Sequence, residues 1–524
     1  MTVQLIFILG CSSSKDTANT AQPASEPSTE ESPTEEPSSE PDVVTDTSSS
    51  EPASEPIGPY VSARIATDTH LLEYAPEETV DNPFRGFLTN YDWSEPANDL
   101  PHSLEFRYLP LSSVVLDENI YDYTVLEDAL NTAKDRGNHL ILRFYLDYPT
   151  LDSGMPNHLS NVVSCTPYED YGGGCTPDYE NPDLQSTLLS FIDDFGLNYD
   201  GDQRLAFIQI GLLGFWGEWH TYPHTDLFAS DQVQQDIITA FDQSFSTTPI
   251  QLRYPSQDSS SRNIGFHDDS FAYATIGSTA WFFQPRLEAA QANLSWQNSP
   301  IGGEVYPALQ SLLFTEEYTI ETHQQDLQLC LEETHASYLL NYFAFSGSGT
   351  GYTGAQKEQA EVFSQGMGYQ YTITQIDIVR SNLEDYLLDW SIDITLSNEG
   401  NAPSYYPIAL NLSWNNEIYE LQQVQDLLPD TTTTVSFSLN DLPREQAQMP
   451  FELFLNSDFA LPEQQIKLAN TSSSTGSVLI HDPIFCAYEG LDVELGETVD
   501  FNGLLCTCDV DRQLYSSDGE SCSP

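Results

Sequence analysis

The chain has 524 residues, enough for about two or three domains, and it carries 80 Asp and Glu against 16 Lys and Arg, a formal net charge of −64. This charge excludes nucleic-acid binding, which needs a basic patch, and disfavours adhesion to anionic lipid head groups. Because 39 % of the residues are hydrophobic and 12 % are aromatic, most of the chain is nevertheless predicted to be globular.

The first eleven residues, MTVQLIFILGC, form a short apolar run that ends in a cysteine. The run resembles a bacterial lipoprotein signal in which residues 8–11 are the lipobox and Cys11 is acylated, although no Lys or Arg precedes it. This predicts an exported protein that is lipid-anchored to the bacterial outer membrane or cell surface and has no other membrane contact. The alternative is a degenerate hydrophobic N-terminus.

Residues 12–56 are rich in Ser, Thr, Pro and Glu, contain repeated S-E-P units and have no aromatic residue. Such a composition cannot bury enough apolar surface to offset its ordering entropy, so a disordered tether is predicted. No later segment has about 18 consecutive apolar residues, and no transmembrane helix is predicted.

Residues 57–365 alternate between short apolar runs and longer amphipathic stretches, a pattern typical of βα units around a parallel sheet. Helices are predicted at 125–136, 184–195 and 233–245. Eight interleaved strands predict a (β/α)8 TIM-type barrel, with the strands at 84–90, 104–111, 140–146, 205–213, 250–254, 264–273, 301–305 and 338–345.

From residue 366 to 480 the hydrophobic period changes to two, as in YLLDWSIDITLS, with turn sequences between the runs. This predicts an antiparallel β-sandwich of immunoglobulin type. Residues 481–524 form a cysteine-rich tail.

Seven cysteines remain when Cys11 is set aside for lipid. Cys165 and Cys175 flank a glycine-rich loop and are predicted to pair. The four cysteines of the tail are predicted to form disulfides of undetermined connectivity, since an exported domain with little core needs such links: Cys486, Cys506, Cys508 and Cys522. A zinc site is the alternative, but the spacing matches one poorly. Cys330 is left over and is predicted to be a small buried residue.

The stretch LAFIQIGLLGFWGEWH places Glu218 beyond an apolar strand, at the barrel face where enzymes of this fold build their sites. The flanking Trp216 and Trp219 would desolvate this carboxyl and offer flat faces to sugar rings. Desolvation raises the pKa of a carboxyl, as a general acid requires. The seventh strand ends in Gly-Gly-Glu, which places Glu304 at the same face; the two glycines are predicted to let a ligand approach the backbone.

Two glutamates at the ends of strands four and seven resemble the catalytic pair of clan-A glycoside hydrolases. The resemblance implies that Glu218 is the general acid/base and Glu304 the nucleophile of a retaining reaction, which needs the carboxyls about 5 to 5.5 Å apart. Two positions depart from the family pattern: Gly217 replaces an asparagine, and Asn341 and Phe343 stand where a tryptophan usually ends strand eight.

Several polar residues on the predicted strands are candidates for substrate binding. An arginine inside an apolar strand must be paired, and site carboxylates are its natural partners; a structural ion pair is the alternative. The candidates are Arg85, Arg143, Tyr145, Trp216, Trp219, His220, Arg253 and His267. Trp281 and Trp296 are further candidates for lining a sugar cleft.

The spacing of His220 and His224 also suggests a metal site, but Pro223 interrupts it and no HExxH motif is present. We predict neither a metal nor another cofactor.

Six motifs in order, among them NPFRGF, GLLGFWGEWH and NEGNAPSYYP, resemble the paired bacterial domains of unknown function numbered 4874 and 4832. The resemblance covers residues 81 to about 470 and implies a barrel plus a sandwich on an exported protein.

The first functional hypothesis is therefore a surface-anchored, retaining glycoside hydrolase that acts on a polysaccharide or oligosaccharide. The acidic surface by itself favours a neutral or cationic substrate. The alternative is a non-catalytic carbohydrate-binding or adhesive lipoprotein on the same barrel scaffold. The sugar, the linkage and the oligomeric state are not encoded in any pattern we identify.

Overall fold

The structure is a computed structural model that describes residues 64–93, 100–384, 387–443, 446–470, 476–483, 485–488, 491–494, 498–501, 504–509, 513–517 and 521–522. The predicted signal with Cys11 and the predicted tether at 12–56 lie outside the described residues, and both stay predictions.

The described strands and helices follow the predicted alternation closely. The strands are β1 Arg64–Leu71, β2 Gly86–Asn90, β3 Leu104–Pro110, β4 Val115–Asp117, β5 Ile120–Tyr121, β6 His139–Tyr145, β7 Cys165–Tyr168, β8 Gly174–Pro177, β9 Leu205–Gln209, β10 Ile250–Leu252, β11 Gly265–Phe271, β12 Ile301–Val305, β13 Tyr338–Leu340, β14 Tyr371–Glu384, β15 Leu387–Asn398, β16 Ala409–Trp414, β17 Glu417–Gln423, β18 Thr432–Pro443, β19 Phe451–Asn456, β20 Val478–Ile480, β21 Phe485–Tyr488, β22 Leu491–Glu494, β23 Thr498–Phe501, β24 Leu504–Cys508 and β25 Leu514–Ser516. The α-helices are α1 Thr124–Asp135, α2 Pro182–Tyr199, α3 Asp231–Ser244, α4 Gln257–Ser260, α5 Phe283–Ala289, α6 Pro307–Gln310, α7 Leu327–Thr334 and α8 Gly354–Gly366.

Eight parallel strands close into a barrel in the order β2, β3, β6, β9, β10, β11, β12, β13 and back to β2. Each predicted barrel strand exists, and the TIM-type fold is confirmed. Every residue of β6 and β9 is buried, because a parallel strand in such a barrel is covered on both faces. Helix α1 packs one apolar stripe inward, and α2 begins at Asn181, whose side chain accepts the backbone N–H groups of Asp183 and Leu184.

The barrel interior has an apolar lower layer and a polar upper layer. The lower layer packs side chains from the starts of the strands, such as Phe106, Ile141 and Phe207. Above it, the hydroxyl of Tyr338 donates to Gln251 and accepts from Gln209. The polar groups of the interior therefore lie toward the carboxyl ends of the strands, the end where barrel enzymes carry their sites.

Residues after the barrel form two antiparallel sheets of four strands that share one apolar core, a β-sandwich. The first sheet has the order β1-β14-β15-β18 and the second β17-β16-β19-β20. Burial alternates along β15, which is the period-two pattern seen in the sequence. Strand β1 pairs with β14, so residues 64–71 belong to the sandwich and not, as the predicted boundary at residue 57 had it, to the barrel.

The sandwich docks on the amino-terminal end of the barrel. Tyr406, in the connection before β16, inserts into the lower layer and donates a hydrogen bond to the carbonyl of Ala206 at 2.5 Å. Tyr405 donates to the carbonyl of Trp296 at 2.6 Å. The motif NEGNAPSYYP thus builds this contact, and Trp296, stacked on His335 at 3.6 Å, lies there and not in a sugar cleft.

The predicted disulfides are present. Cys165 pairs with Cys175, which ties β7 to β8. In the tail the connectivity is Cys486–Cys508 and Cys506–Cys522. Cys330 is a free, buried thiol.

Among the described residues, every helix is too short or too polar to cross a membrane.

Candidate active site

The segment after β9 holds Glu218 in a folded-back loop and not on a continuing strand. The strand was predicted to reach residue 213 but ends at Gln209. The loop is fixed by backbone hydrogen bonds from Leu212 to the carbonyl of Phe144 and from Trp216 to that of Asp147, at 2.8 and 2.9 Å. Glu218 is therefore anchored to the end of β6 as well as to its own strand.

Glycines give this loop its shape. Gly217 has a φ of +69°, and a Cβ there would lie 2.9 Å from the carbonyl oxygen of Phe144. At Gly211 a Cβ would lie 2.1 Å from the same oxygen. A side chain at 217 would therefore collide with β6, and this backbone leaves no room for the asparagine that the clan-A pattern places before its acid/base.

Glu218 faces two basic side chains. Its Oε1 lies 3.4 Å from Nη1 of Arg143, and its Oε2 lies 3.5 Å from Nε2 of His220. The Glu218 side chain is 14 % exposed, whereas that of Arg143 is 1 % exposed. Arg143 and Glu218 therefore form a largely buried ion pair.

Glu304 stands at the same end of the barrel in a different environment. Its Oε1 accepts a hydrogen bond from Nε2 of Gln310 at 3.1 Å, and among the described residues no cation forms an ion pair with it. Burial, then repulsion by Asp269 and by Glu218, raises its pKa well above the usual value. Glu304 therefore retains its proton more readily than an ordinary glutamate. Glu304, near the end of β12, and Glu218, in the loop after β9, both lie at the carboxyl-terminal end of the barrel.

The two glycines before Glu304 serve the barrel and not a ligand, which corrects the prediction. A Cβ at Gly302 would lie 2.3 Å from the ring of Tyr338, and one at Gly303 would lie 2.1 Å from the carbonyl oxygen of Asp268. They make room for an interior tyrosine and for close approach of β11 to β12.

Asp269 is the centre of the buried charge cluster, and the sequence analysis missed it. Its carboxylate lies 2.8 Å from Arg143, 3.0 Å from Arg253 and 2.9 Å from His267. Although burial opposes ionisation, the three basic groups hold the pKa of Asp269 well below its usual value. Strand alternation in GFHDDSF carries a usable signal, because residues 267 and 269 of one strand share a face.

His267 is neutral in this cluster. Burial lowers its pKa to about 4 despite the adjacent Asp269. Its Nδ1 faces that carboxylate at 2.9 Å, and its Nε2 has no hydrogen-bond partner among the described residues. With the proton on Nδ1, the Nε2 lone pair is left as an acceptor.

Aromatic rings surround the carboxyl pair. The ring of Tyr148 lies 5.5 Å from that of Tyr108, 5.1 Å from that of Tyr145 and 6.4 Å from that of Trp216. Burial, then repulsion by Glu304 and Glu218, raises the pKa of Tyr148. Tyr145 thus contacts the site through Tyr148, a residue the sequence analysis did not select.

The two tryptophans beside Glu218 differ. Trp216 is half-buried and its ring lies 6.0 Å from that of His220. Trp219 is 4 % exposed, and its indole N–H donates to the carbonyl of Ile210 at 2.8 Å. Trp219 therefore holds the loop and leaves one edge toward the neighbouring cavity described below.

Arg85 is not a substrate-binding residue, contrary to the prediction. It precedes β2 at the amino-terminal end of the barrel and is fully buried. Its guanidinium donates to four main-chain carbonyls, those of Met367, Thr79, Ser364 and Gln365. An arginine that is saturated by carbonyls at the far end of the barrel has no access to a ligand at the mouth.

The described residues contain no group of three or more His, Cys, Asp and Glu that could hold a metal ion. His220 faces Glu218, whereas Nε2 of His224 lies 2.7 Å from Asp170. The two imidazoles therefore have different partners.

A cavity of about 890 Å³ opens beside the carboxyl pair. It is bounded by His220, Arg253, His267 and Tyr306 toward the pair and by Trp281 and Arg286 on the far side. Neither Glu218 nor Glu304 lines it. The mouth of the barrel therefore has a carboxyl pair and an adjoining pocket.

No protein-family model matches the chain, and no curated protein matches it. The resemblance to the paired domain families 4874 and 4832 remains a prediction.

The solved structures to which the chain is similar include three proteins of 9 to 12 % identity. A family 39 glycoside hydrolase from Bacteroides cellulosilyticus WH2 has 9 % identity and a TM-score of 0.34, with 71 % of this chain and 81 % of that chain covered. An alpha-amylase from Geobacillus thermoleovorans has 9 % identity and a TM-score of 0.30, covering 70 % and 97 %. GH5_18 from Bifidobacterium longum subsp. longum ATCC 55813 has 12 % identity and a TM-score of 0.27, covering 38 % of this chain and only about half, 51 %, of that chain. What this chain does is therefore argued from its own site.

Proposed function

We propose that the protein is a retaining glycoside hydrolase that cleaves an oligosaccharide or polysaccharide with Glu218 and Glu304. The observation that carries the proposal is the unequal environment of two carboxyls at one barrel mouth. Glu218 lies within ion-pair distance of Arg143 and His220, whereas Glu304 has no ion pair among the described residues and burial raises its pKa. One protonated and one ionised carboxyl are what a retaining reaction needs.

These environments favour roles opposite to those implied by strand position. Glu304, which retains its proton, would act as the general acid, and Glu218 would act as the nucleophile. In the first step Glu304 protonates the glycosidic oxygen as its bond to the anomeric carbon breaks, and Glu218 forms an ester with that carbon. In the second step Glu304 takes a proton from water, the water oxygen attacks the anomeric carbon, and Glu218 leaves as a carboxylate.

The hydrolase proposal is tested with activated aryl glycosides and a panel of glycans. We expect kcat/KM to fall by roughly 1,000-fold in Glu218→Gln and in Glu304→Gln. Glu332→Gln, which removes an exposed carboxyl on α7, is the matched control and should retain activity. Hydrolysis that survives in both site variants, or is absent from the wild-type protein on the whole panel, refutes the proposal.

Azide rescue separates the two role assignments. In a variant without the nucleophile, azide enters the vacated face and gives a glycosyl azide of inverted configuration. In a variant without the acid/base, azide attacks the glycosyl ester and the configuration is retained. We expect inversion with Glu218→Ala and retention with Glu304→Ala; the opposite result would restore the assignment implied by strand position.

A second candidate function, non-catalytic carbohydrate binding, is favoured by two features. Gly217 cannot supply the amide of the clan-A asparagine, and the large cavity lies beside the carboxyl pair and not around it. This candidate predicts glycan binding by wild-type protein without hydrolysis of any member of the panel.

We also propose that the protein is exported and anchored through acylated Cys11, on the basis of the sequence MTVQLIFILGC and the three disulfides. Metabolic labelling with a palmitate analogue in a bacterial host tests this. Label that is incorporated into the wild-type protein and lost in Cys11→Ala supports the anchor, and a wild-type protein without label refutes it.

A further inference from the structure

The cavity beside the carboxyl pair is lined by two arginines and by one carboxyl, that of Asp268, in a strongly acidic protein. The whole chain has 16 Lys and Arg against 80 Asp and Glu, yet Arg253 and Arg286 both line this one cavity. Both guanidiniums lie against the ring of Tyr254, with their central carbons 5.5 and 4.2 Å from its centroid. Two like charges therefore approach the same side chain.

Arg286 is the unneutralised member of this pair. It is half-buried, and its Nε donates to the carbonyl of Trp281 at 3.1 Å. Among the described residues, its two terminal nitrogens have no hydrogen-bond partner and no carboxylate lies within ion-pair distance. Burial, and then repulsion by the Arg253 guanidinium, lowers the pKa of Arg286.

The unpartnered terminal nitrogens of Arg286 can donate to an anion that enters the cavity. Arg253 is itself compensated by Asp269 at 3.0 Å, so the free binding capacity belongs to Arg286. A guanidinium binds planar carboxylates and sulfate-type oxyanions through two parallel hydrogen bonds.

The other walls of the cavity suit a sugar ring. Tyr306 stacks on Tyr273 with centroids 4.1 Å apart, Tyr273 stacks on His323 at 4.3 Å, and Trp281 is 51 % exposed. The fully buried His267 presents Nε2 without a partner in the described structure, and this atom can accept a hydrogen bond from a sugar hydroxyl. Flat apolar faces combined with a few oriented polar groups are typical of pockets for polar ligands.

We propose that this cavity binds an anionic sugar residue of the substrate glycan, carrying a carboxylate or a sulfate ester, with Arg286 as its anion-binding residue. The inference rests on the proposed function in taking the ligand to be a glycan. It runs against the neutral or cationic substrate that overall charge favours, because a pocket selects by its local charge and long-range repulsion is screened beyond about 10 Å at 0.1 M salt.

Calorimetric titration of the full chain, carrying Glu218→Gln to prevent turnover, provides the test. The probes are trigalacturonate, its methyl ester, which keeps the shape and removes the charge, and a sulfated galactose trisaccharide with its desulfated form. We expect a charged trisaccharide to bind about 10-fold or more tightly than its uncharged counterpart, as expected for a charge-assisted contact. Whichever charged probe binds identifies the anionic group.

Three variants assign the effect to Arg286. Arg286→Gln should weaken binding of the charged probe by about 10-fold, and Arg286→Lys should retain most of it. Arg262→Gln is the matched control: it removes an arginine that is already paired with Asp242 and Asp258, and we expect no change in affinity. Circular dichroism and the thermal midpoint establish that each variant is folded.

Equal affinity for charged and uncharged probes, no binding of either charged probe, or unchanged affinity in Arg286→Gln would overturn the inference. The comparison of probes on unsubstituted Arg286 keeps the test valid even where a variant fails to fold. Arg286-dependent binding without hydrolysis by the wild-type protein would refute the proposed function alone. Hydrolysis of charged and of uncharged glycosides at rates that are both unchanged when Arg286 is replaced would refute this inference alone.

Discussion

Two buried arginines, Arg85 and Arg143, show how differently the two ends of one barrel use the same side chain. Both lie in apolar strand sequences and are almost completely inaccessible. Arg85, just before β2, donates to main-chain carbonyls, and burial lowers its pKa to about 10. Arg143, near the end of β6, lies against Asp269 and Glu218, and these carboxylates raise its pKa although burial opposes them.

The contrast shows that the position of an arginine along its strand decides its role. At the amino-terminal end, Arg85 fastens the barrel to the last turn of α8 and to Met367, which follows it. At the carboxyl-terminal end, Arg143 forms an ion pair with Glu218, a group that we propose reacts. The first arginine should matter to stability and the second to chemistry.

The largest effect on stability is expected at Arg85. Arg85→Met leaves four buried carbonyls without their donor, and we expect the free energy of unfolding to fall by about 4 kcal/mol. Urea denaturation followed by fluorescence measures it. Arg262→Met, which removes exposed ion pairs, should change stability by less than about 1 kcal/mol. If Arg85→Met lowered the free energy of unfolding by no more than Arg262→Met does, the proposed difference between Arg85 and Arg143 would be wrong.

The next effect is expected at Arg143, where the loss should depend on its partner. Arg143→Met leaves a buried carboxylate less compensated and should cost about 3 kcal/mol of unfolding free energy, together with most activity. The double variant that combines Arg143→Met with Asp269→Asn should lose less stability than the sum of the two single-variant losses, by about 1 to 2 kcal/mol. Strictly additive losses in this double-mutant cycle would mean that the pair is not coupled.

A smaller effect is expected from the loop glycines. Gly217→Ala should cost about 2 kcal/mol and lower activity, since it combines a left-handed backbone with a contact against the carbonyl of Phe144. Gly137→Ala is the matched control, because its φ is +83° but nothing lies within 4 Å of the added Cβ; it should cost only about 1 kcal/mol and spare activity. If Gly217→Ala and Gly137→Ala changed stability and activity by equal amounts, the contact between residue 217 and β6 would be unimportant.

The smallest effect is expected at Glu304 and depends on pH. Because the folded state holds this proton to higher pH than the unfolded chain does, wild-type stability falls as pH rises from the ordinary glutamate pKa of 4.5 toward the raised value. Glu304→Gln should therefore gain stability relative to wild type over that window, at about 1.4 kcal/mol per unit of pKa separation, and the difference should not change below pH 4.5. Parallel stability curves across pH 4 to 8 would contradict the raised pKa.

The barrel could be predicted because its strands are runs of mainly apolar residues in the sequence. β6 and β9 are buried on both faces, so local hydrophobicity alone finds them. Their ends were less predictable: the apolar run at Leu212 and Leu213 looks like strand but is a loop, held by hydrogen bonds to residues that are distant in sequence.

The candidate site was predictable where a residue ends a strand and not where it depends on partners across the barrel. Glu218 and Glu304 were selected from their positions at strand ends, and the structure places both at the mouth of the barrel; their catalytic roles stay a prediction. Asp269 was missed because its importance comes from His267 on the same strand, from Arg253 just after the neighbouring β10, and from Arg143 on β6 across the barrel. Arg85 was misassigned because its carbonyl partners carry no signature in the sequence.

Tyr406 couples the stability of the barrel to the stability of the sandwich. Its ring packs against Phe84 and Phe207 and closes the amino-terminal end of the barrel. The barrel therefore depends on a residue outside its own strands and helices to close that end. A chain truncated after α8 would lack Tyr406, and the apolar lower layer of the barrel would be exposed to water. Heating the whole protein should accordingly produce one calorimetric transition, in which both halves melt together.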